Sequence, residues 1–103
     1  MFHRIPSGFM LDFDNGWTAS IMFGPGNYGS NRDMPFKAFM NDPPQFLDST
    51  TAEMAACRTK ESKWYTFEDG QEVKGWQNVT HVVEFLNMVV NLPNLDDKER
   101  NDD

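Results

Sequence analysis

The chain has 103 residues, enough for one hydrophobic core and not for two. Hydrophobic residues at 39%, aromatics at 14% and charged residues at 24% exclude wholesale disorder. A formal net charge of −7 disfavours nonspecific attraction to nucleic acid or to an anionic membrane.

The N-terminus, MFHRIPSGFML, lacks the apolar core of a signal peptide, and no apolar run approaches the roughly 18 residues needed to span a bilayer. Cys57 is the single cysteine, which rules out an intramolecular disulfide. A cytoplasmic setting is therefore expected.

In FMLDFDNGWTASIMF, Phe9, Leu11 and Phe13 alternate with Met10 and Asp12. After the turn Trp17, Ala19, Ile21 and Phe23 alternate with Thr18, Ser20 and Met22. This pattern predicts a β-hairpin. A two-residue Asn15-Gly16 loop would put the two apolar sets on opposite faces. A three-residue loop, Asp14-Asn15-Gly16 with a left-handed Gly16, pairs Phe13 with Trp17, Leu11 with Ala19 and Phe9 with Ile21. It gives one apolar face and is the register expected.

Residues 24–50 are rich in Gly and Pro and read as one long loop, the kind usually retained for function. Within it Phe36, Phe39 and Met40 have the spacing of a short helical turn, and Phe46 and Leu47 are expected to pin the loop to the core. The loop opens with GPGNYG, Gly24 to Gly29, which fits G-x-G-x-x-G letter for letter. A dinucleotide site needs a parallel βαβ unit behind that motif. Here the preceding strand belongs to an antiparallel hairpin, and Pro35, Pro43 and Pro44 leave no crossover helix. A weaker anion-binding nest of glycine amides, helped by Asn27, Tyr28, Ser30, Asn31 and Arg32, stays open beside the plainer reading of a turn-rich linker.

TAEMAAC (51–57) and KWYTF (63–67) predict a second hairpin around RTKES, and Asp69-Gly70 and Lys74-Gly75 give turn signals leading to Trp76. NVTHVVEFLNMVVNLP predicts a helix capped by Asn78 or Thr80 and ended by Pro93. Its apolar face is Val79, Val82, Val83, Leu86, Val89 and Val90. From Asn94 the chain is polar, and the last eight residues hold five acids and two bases, hence −3, leaving −4 for the rest. The tail 94–103 is expected to be disordered. The fold expected for 1–93 is a single α+β domain: an antiparallel sheet of about four strands from two hairpins, with the C-terminal helix on one face.

For chemistry the signals are thin. His81 stands in the helix's first turn without a metal-ligating cluster around it in sequence, and Cys57 sits in a strand as a small packed residue. Asp12 and Asp14 are read as a solvated strand position and a turn position. No nucleophile-elbow motif accompanies any serine. Neither an enzyme nor a cofactor or metal is expected.

Two segments resemble small uncharacterised proteins encoded by bacteriophages and prophages. One is NGWTASIMFGPGNYGSNR (15–32). The other runs from TAEMA (51–55) through KWYTF to EVKGWQ (72–77) and the terminal helix. MPFKAFMNDPPQF lies outside the likeness. It implies a viral accessory protein in the host bacterial cytoplasm and carries no activity with it. The function expected is binding and modulation of a host or phage protein, with counter-defence as one such role. The expected surface is Asn27, Tyr28, Asn31 and Arg32 of the loop, with Trp76 as a nearby anchor. The alternatives are sequestration of a small anionic or nucleotide ligand by the glycine-rich loop and acidic mimicry of DNA; direct nucleic-acid binding is not expected.

Overall fold

A computed structural model describes residues 1–5, 7–24, 27–33, 48–61 and 63–94. The short turn expected at Phe36, Phe39 and Met40, the pinning role of Phe46 and Leu47, and the tail beyond Asn94 lie outside these residues.

The strands are β1 (Phe2–Ile5), β2 (Gly8–Asp12), β3 (Trp17–Met22), β4 (Ala52–Arg58) and β5 (Lys74–Gln77), followed by helix α1 (Val79–Val90). They form one antiparallel sheet in the order β1-β2-β3-β4-β5, with α1 across one face. The α+β class holds, with five strands in place of the expected four.

The first hairpin has the three-residue-loop register. Phe9 pairs with Ile21 and Leu11 with Ala19, the Phe13 amide donates to the Trp17 carbonyl (2.8 Å), and Gly16 has φ 89°. That left-handed conformation costs a residue with a Cβ about 1–2 kcal/mol, which is why glycine occupies it. Register then carries the apolar face across the sheet, and Ala19, Ile21, Ala52, Met54 and Ala56 form its buried centre with Phe85 and Val89 of α1.

Three expectations need correction. β1 was not foreseen. KWYTF is not a strand: a single bridge joins Trp64 to Cys57, the Tyr65 amide donates to the Ala56 carbonyl (2.8 Å), and the chain then leaves the edge. It leaves because Tyr65 and Phe67 are drawn over the core in a run of ring contacts from Trp17 to Phe85, with centroid separations of 6.1, 5.4 and 5.6 Å. The vacated half of the β4 edge, at Ala52 and Met54, is taken by β5, so Lys74-Gly75 lies in a strand and not in a turn. Finally, α1 is rolled so that Phe85 and Val89 face the sheet, leaving Val79, Val83 and Val90 exposed. Phe85 offers more apolar area than a valine and meets Phe67, and that contact sets the roll.

Asn78 caps α1, its side-chain oxygen accepting from the His81 amide at 2.9 Å. At the other end Asn15, buried in the β2–β3 turn, donates from Nδ2 to the carbonyls of Val89 (2.8 Å), Val90 (3.3 Å) and Leu92 (3.1 Å). Asn15→Ala should lower unfolding free energy by about 1–3 kcal/mol, because those carbonyls lose a buried donor. Asn15→Asp should cost more, since a carboxylate would face three carbonyl oxygens. Urea denaturation of the three proteins checks both the size and the order.

Candidate functional site

The described part of the glycine-rich loop is an inward-turned structure. The amides of Asn27, Gly29 and Arg32 donate to the carbonyls of Gly24 (3.3 Å), Asn27 (2.9 Å) and Gly29 (3.0 Å). The Ser30 amide donates to Thr51 Oγ1 at 2.9 Å, and the Tyr28 amide to a carboxylate oxygen of Glu53 at 2.9 Å. The anion that this loop holds is therefore the protein's own Glu53, and these five amides do not converge on an external ligand. β3, which feeds the loop, is antiparallel to both its neighbours, so the setting of a dinucleotide site is missing there.

The same loop is tied to β5. The Trp76 amide donates to the Tyr28 carbonyl at 2.7 Å. A Cβ on Gly75 would fall on the Cβ and carbonyl oxygen of Tyr28, so only glycine lets the two backbones meet this closely. Trp76 has φ 58°, the left-handed region that a bulky side chain rarely adopts, beside a register shift between β4 and β5. Trp76 is 55% exposed and Tyr28 49%. The Arg32 guanidinium lies 5.2 Å from the centre of the Tyr28 ring. The loop residues Tyr28 and Arg32 are thus joined through the Tyr28 backbone to Trp76, 48 positions beyond Tyr28 in the sequence, and the strained Trp76 backbone is held there by the loop.

The two asparagines do something else. Asn31 is 8% exposed, and its Nδ2 donates to the carbonyls of Phe23 (2.8 Å) and Asp48 (3.1 Å), closing the two ends of the long loop toward each other. Asn27 donates from Nδ2 to the Gly24 carbonyl at 3.4 Å, within its own turn. Asn31 thus shapes the surface from within, while Asn27 is half-buried in its own turn.

A second polar cluster lies on the sheet face opposite α1. His3 Nε2 is 2.7 Å from one Asp12 oxygen, Thr18 Oγ1 donates to the other at 2.8 Å, and Thr59 Oγ1 is 2.8 Å from Thr18 Oγ1. Nothing in the sequence marks this group, because it depends on β1 lying beside β2. The hydrogen bond from His3, then that from Thr18, holds the Asp12 carboxyl below its usual range. Cys57 lies across from Thr18, and burial, then the Asp12 charge, pushes its thiol up, away from the thiolate a nucleophile needs. His81 is exposed on α1, and no group of three metal-ligating side chains occurs among the described residues. No helix among them is long and apolar enough to cross a membrane.

An apolar groove of 540 Å³ runs between α1 and the sheet, lined by Phe9, Ile21, Phe23, Val82, Val83 and Leu86. Asp48, Ser49 and Thr50 stand at its edge, where the chain re-enters from residues 34–47.

If the Trp76 ring is kept outward against its own backbone preference, Trp76→Gly should be more stable than Trp76→Ala by about 1 kcal/mol, since only glycine removes the left-handed penalty. Chemical denaturation of the pair checks it, and equal stabilities would mean the strain is not there. Asp12 makes a second expectation. Its lowered carboxyl contributes stability that is fully present above about pH 4 and is lost as pH falls through the lowered folded value. Asp12→Asn should therefore flatten the acid limb of a plot of Tm against pH and leave its neutral shape alone.

Comparison with protein-family models, with curated proteins and with solved structures gave no match.

Proposed function

We propose that the chain is a small accessory protein of a bacteriophage or prophage that works by binding and modulating a host or phage protein in the bacterial cytoplasm. Its contact surface is Tyr28, Arg32 and Trp76. The observation that carries this reading is Trp76, whose exposed ring sits on a left-handed backbone that the Tyr28 carbonyl holds in place. Strain of this kind persists where surrounding structure enforces it, and it concentrates at functional positions. Tryptophan, tyrosine and arginine are also the side chains most enriched among residues that dominate binding energy.

What favours a macromolecular partner over a small anion is the loop's hydrogen bonding, since five of its amides already have acceptors within the chain. Arg32 supplies one positive charge at the surface, and it lies over the Tyr28 ring. A phosphate site built on that single charge would lack the backbone donors that usually complete it.

Tyr28→Ala tests the reading. The backbone contacts of Tyr28 to Glu53 and Trp76 survive the substitution, so Tm should stay within about 2 °C of the parent. Binding of the partner identified by affinity purification should weaken about tenfold or more, the effect of losing one dominant contact. A fall in Tm with binding intact would return Tyr28 to a purely structural role. A saturable thermal shift with a nucleotide would favour sequestration instead.

A further inference from the structure

Of the chain's asparagines only Asn15 precedes a glycine. Asparagine is thermolabile because the peptide nitrogen that follows it can attack its carboxamide, and a side chain on the next residue hinders that approach. Gly16 offers no such hindrance. The sequence therefore puts its most labile amide in the turn that ties the first hairpin to α1.

In the folded chain the groups that would react are all engaged. Attack requires the Gly16 nitrogen to lose its proton and swing toward Asn15 Cγ, and that N–H donates to the Phe13 carbonyl at 3.2 Å. The Gly16 carbonyl in turn accepts from the Thr59 amide at 2.9 Å. The leaving nitrogen, Nδ2, is held by the Val89, Val90 and Leu92 carbonyls, and Oδ1 accepts from the Trp17 amide. Asn15 is also buried, which keeps out the water the reaction consumes.

We propose that Asn15 is a modification site gated by folding: it deamidates when α1 lifts from the β2–β3 turn, and the product no longer docks the helix. The Gly16 nitrogen forms a bond to Cγ, the Cγ–Nδ2 bond breaks, and Nδ2 leaves as ammonia with the proton that Gly16 gave up. Water then opens the succinimide at one of its two carbonyls. Opening at Cγ gives an aspartyl residue, whose carboxylate faces the three carbonyls that Nδ2 served. Opening at the Asn15 main-chain carbonyl gives an isoaspartyl link, which adds a carbon to the loop whose length sets the hairpin register. Neither product reverts on refolding. Opening is thus recorded covalently, and the time a molecule spends with α1 undocked sets how long it stays able to refold.

Peptide mapping by mass spectrometry reads the conversion of Asn15 in the full chain, incubated at mildly alkaline pH with and without denaturing guanidinium. Exposed Asn87, followed by Met88, is the internal standard. Conversion should be at least about tenfold slower in the native protein, since only open molecules react. Asn78→Ala separates the helix from the turn as the gate. It removes the cap at the far end of α1 and leaves every partner of Asn15 in place. With the parent's far-UV spectrum retained, its native-state conversion should be about fivefold faster, the effect of one lost cap, while its rate in guanidinium matches the parent's. The converted chains, separated from the parent by their added negative charge, should unfold at lower urea concentration. Equal conversion with and without denaturant, a native-state rate in Asn78→Ala equal to the parent's, or a parental urea midpoint for the converted chains would each overturn the proposal.

Discussion

The carboxamide of Asn15 ties the first hairpin to the last helix, across 74 residues of sequence to Val89. An α-helix ends with carbonyls that have no partner within it, and α1 has no basic side chain in its last turn to serve them. Asn15 supplies the missing donor from the β2–β3 turn, while its own oxygen accepts from the Trp17 amide at 3.1 Å. One side chain therefore closes the turn and fixes where α1 ends. Given the Phe85 contact at the helix's middle and the Asn78 cap at its start, the position of α1 over β3 and β4 is determined at three points along its length.

Helix placement in turn decides which parts of the sheet are left for other uses. One helix of 12 residues rests mainly on two strands of a five-stranded sheet. On the β5 side the remaining width is closed by the chain itself, through the rings of Tyr65 and Phe67 and the Lys74 ammonium 5.2 Å from the Phe67 ring centre. On the β1 side the apolar face continues outward to Phe2 without a helix over it. The two edges of one small sheet thus present opposite problems, one sealed by a bulge and a loop and the other left regular.

How much of this was legible in the sequence follows from the range of the interactions. The hairpin register was readable because alternation and turn chemistry are local, and only one loop length put Phe9, Leu11 and Phe13 on the same face as Trp17, Ala19 and Ile21. The helix span and its Asn78 cap were readable for the same reason. β1 and β5 were not, because FHRI and KGWQ are four residues each and show no alternation that separates them from loop. Tyr65 and Phe67 looked like strand residues by composition, and tertiary contacts with Trp17 and Phe85 overrode that preference. The Asn15 contact and the His3–Asp12 pair depend on elements brought together by the fold, so no local pattern announces them. Of the surface residues, Tyr28, Arg32 and Trp76 come together in space, while Asn31 turns inward to serve the loop's own carbonyls.

The inward hydrogen bonding of the glycine-rich loop bears on what kind of surface it can make. Glycine amides that are left open can adapt to an anion, and the loop then pays for its ordering only when ligand arrives. Here the Glu53 carboxylate, Thr51 hydroxyl and Trp76 amide have already fixed residues 28–30, and Gly75 lets β5 press against them. The entropy of ordering this segment is therefore met by folding, not by association. A contact made through Tyr28 and Trp76, as proposed above, would use a surface whose shape on this chain is set beforehand, and less of its binding energy would be lost to immobilising the loop. The left-handed Trp76 belongs to the same economy of position: its backbone strain of about 1–2 kcal/mol is carried by the folded domain, so the ring is presented outward before any partner approaches.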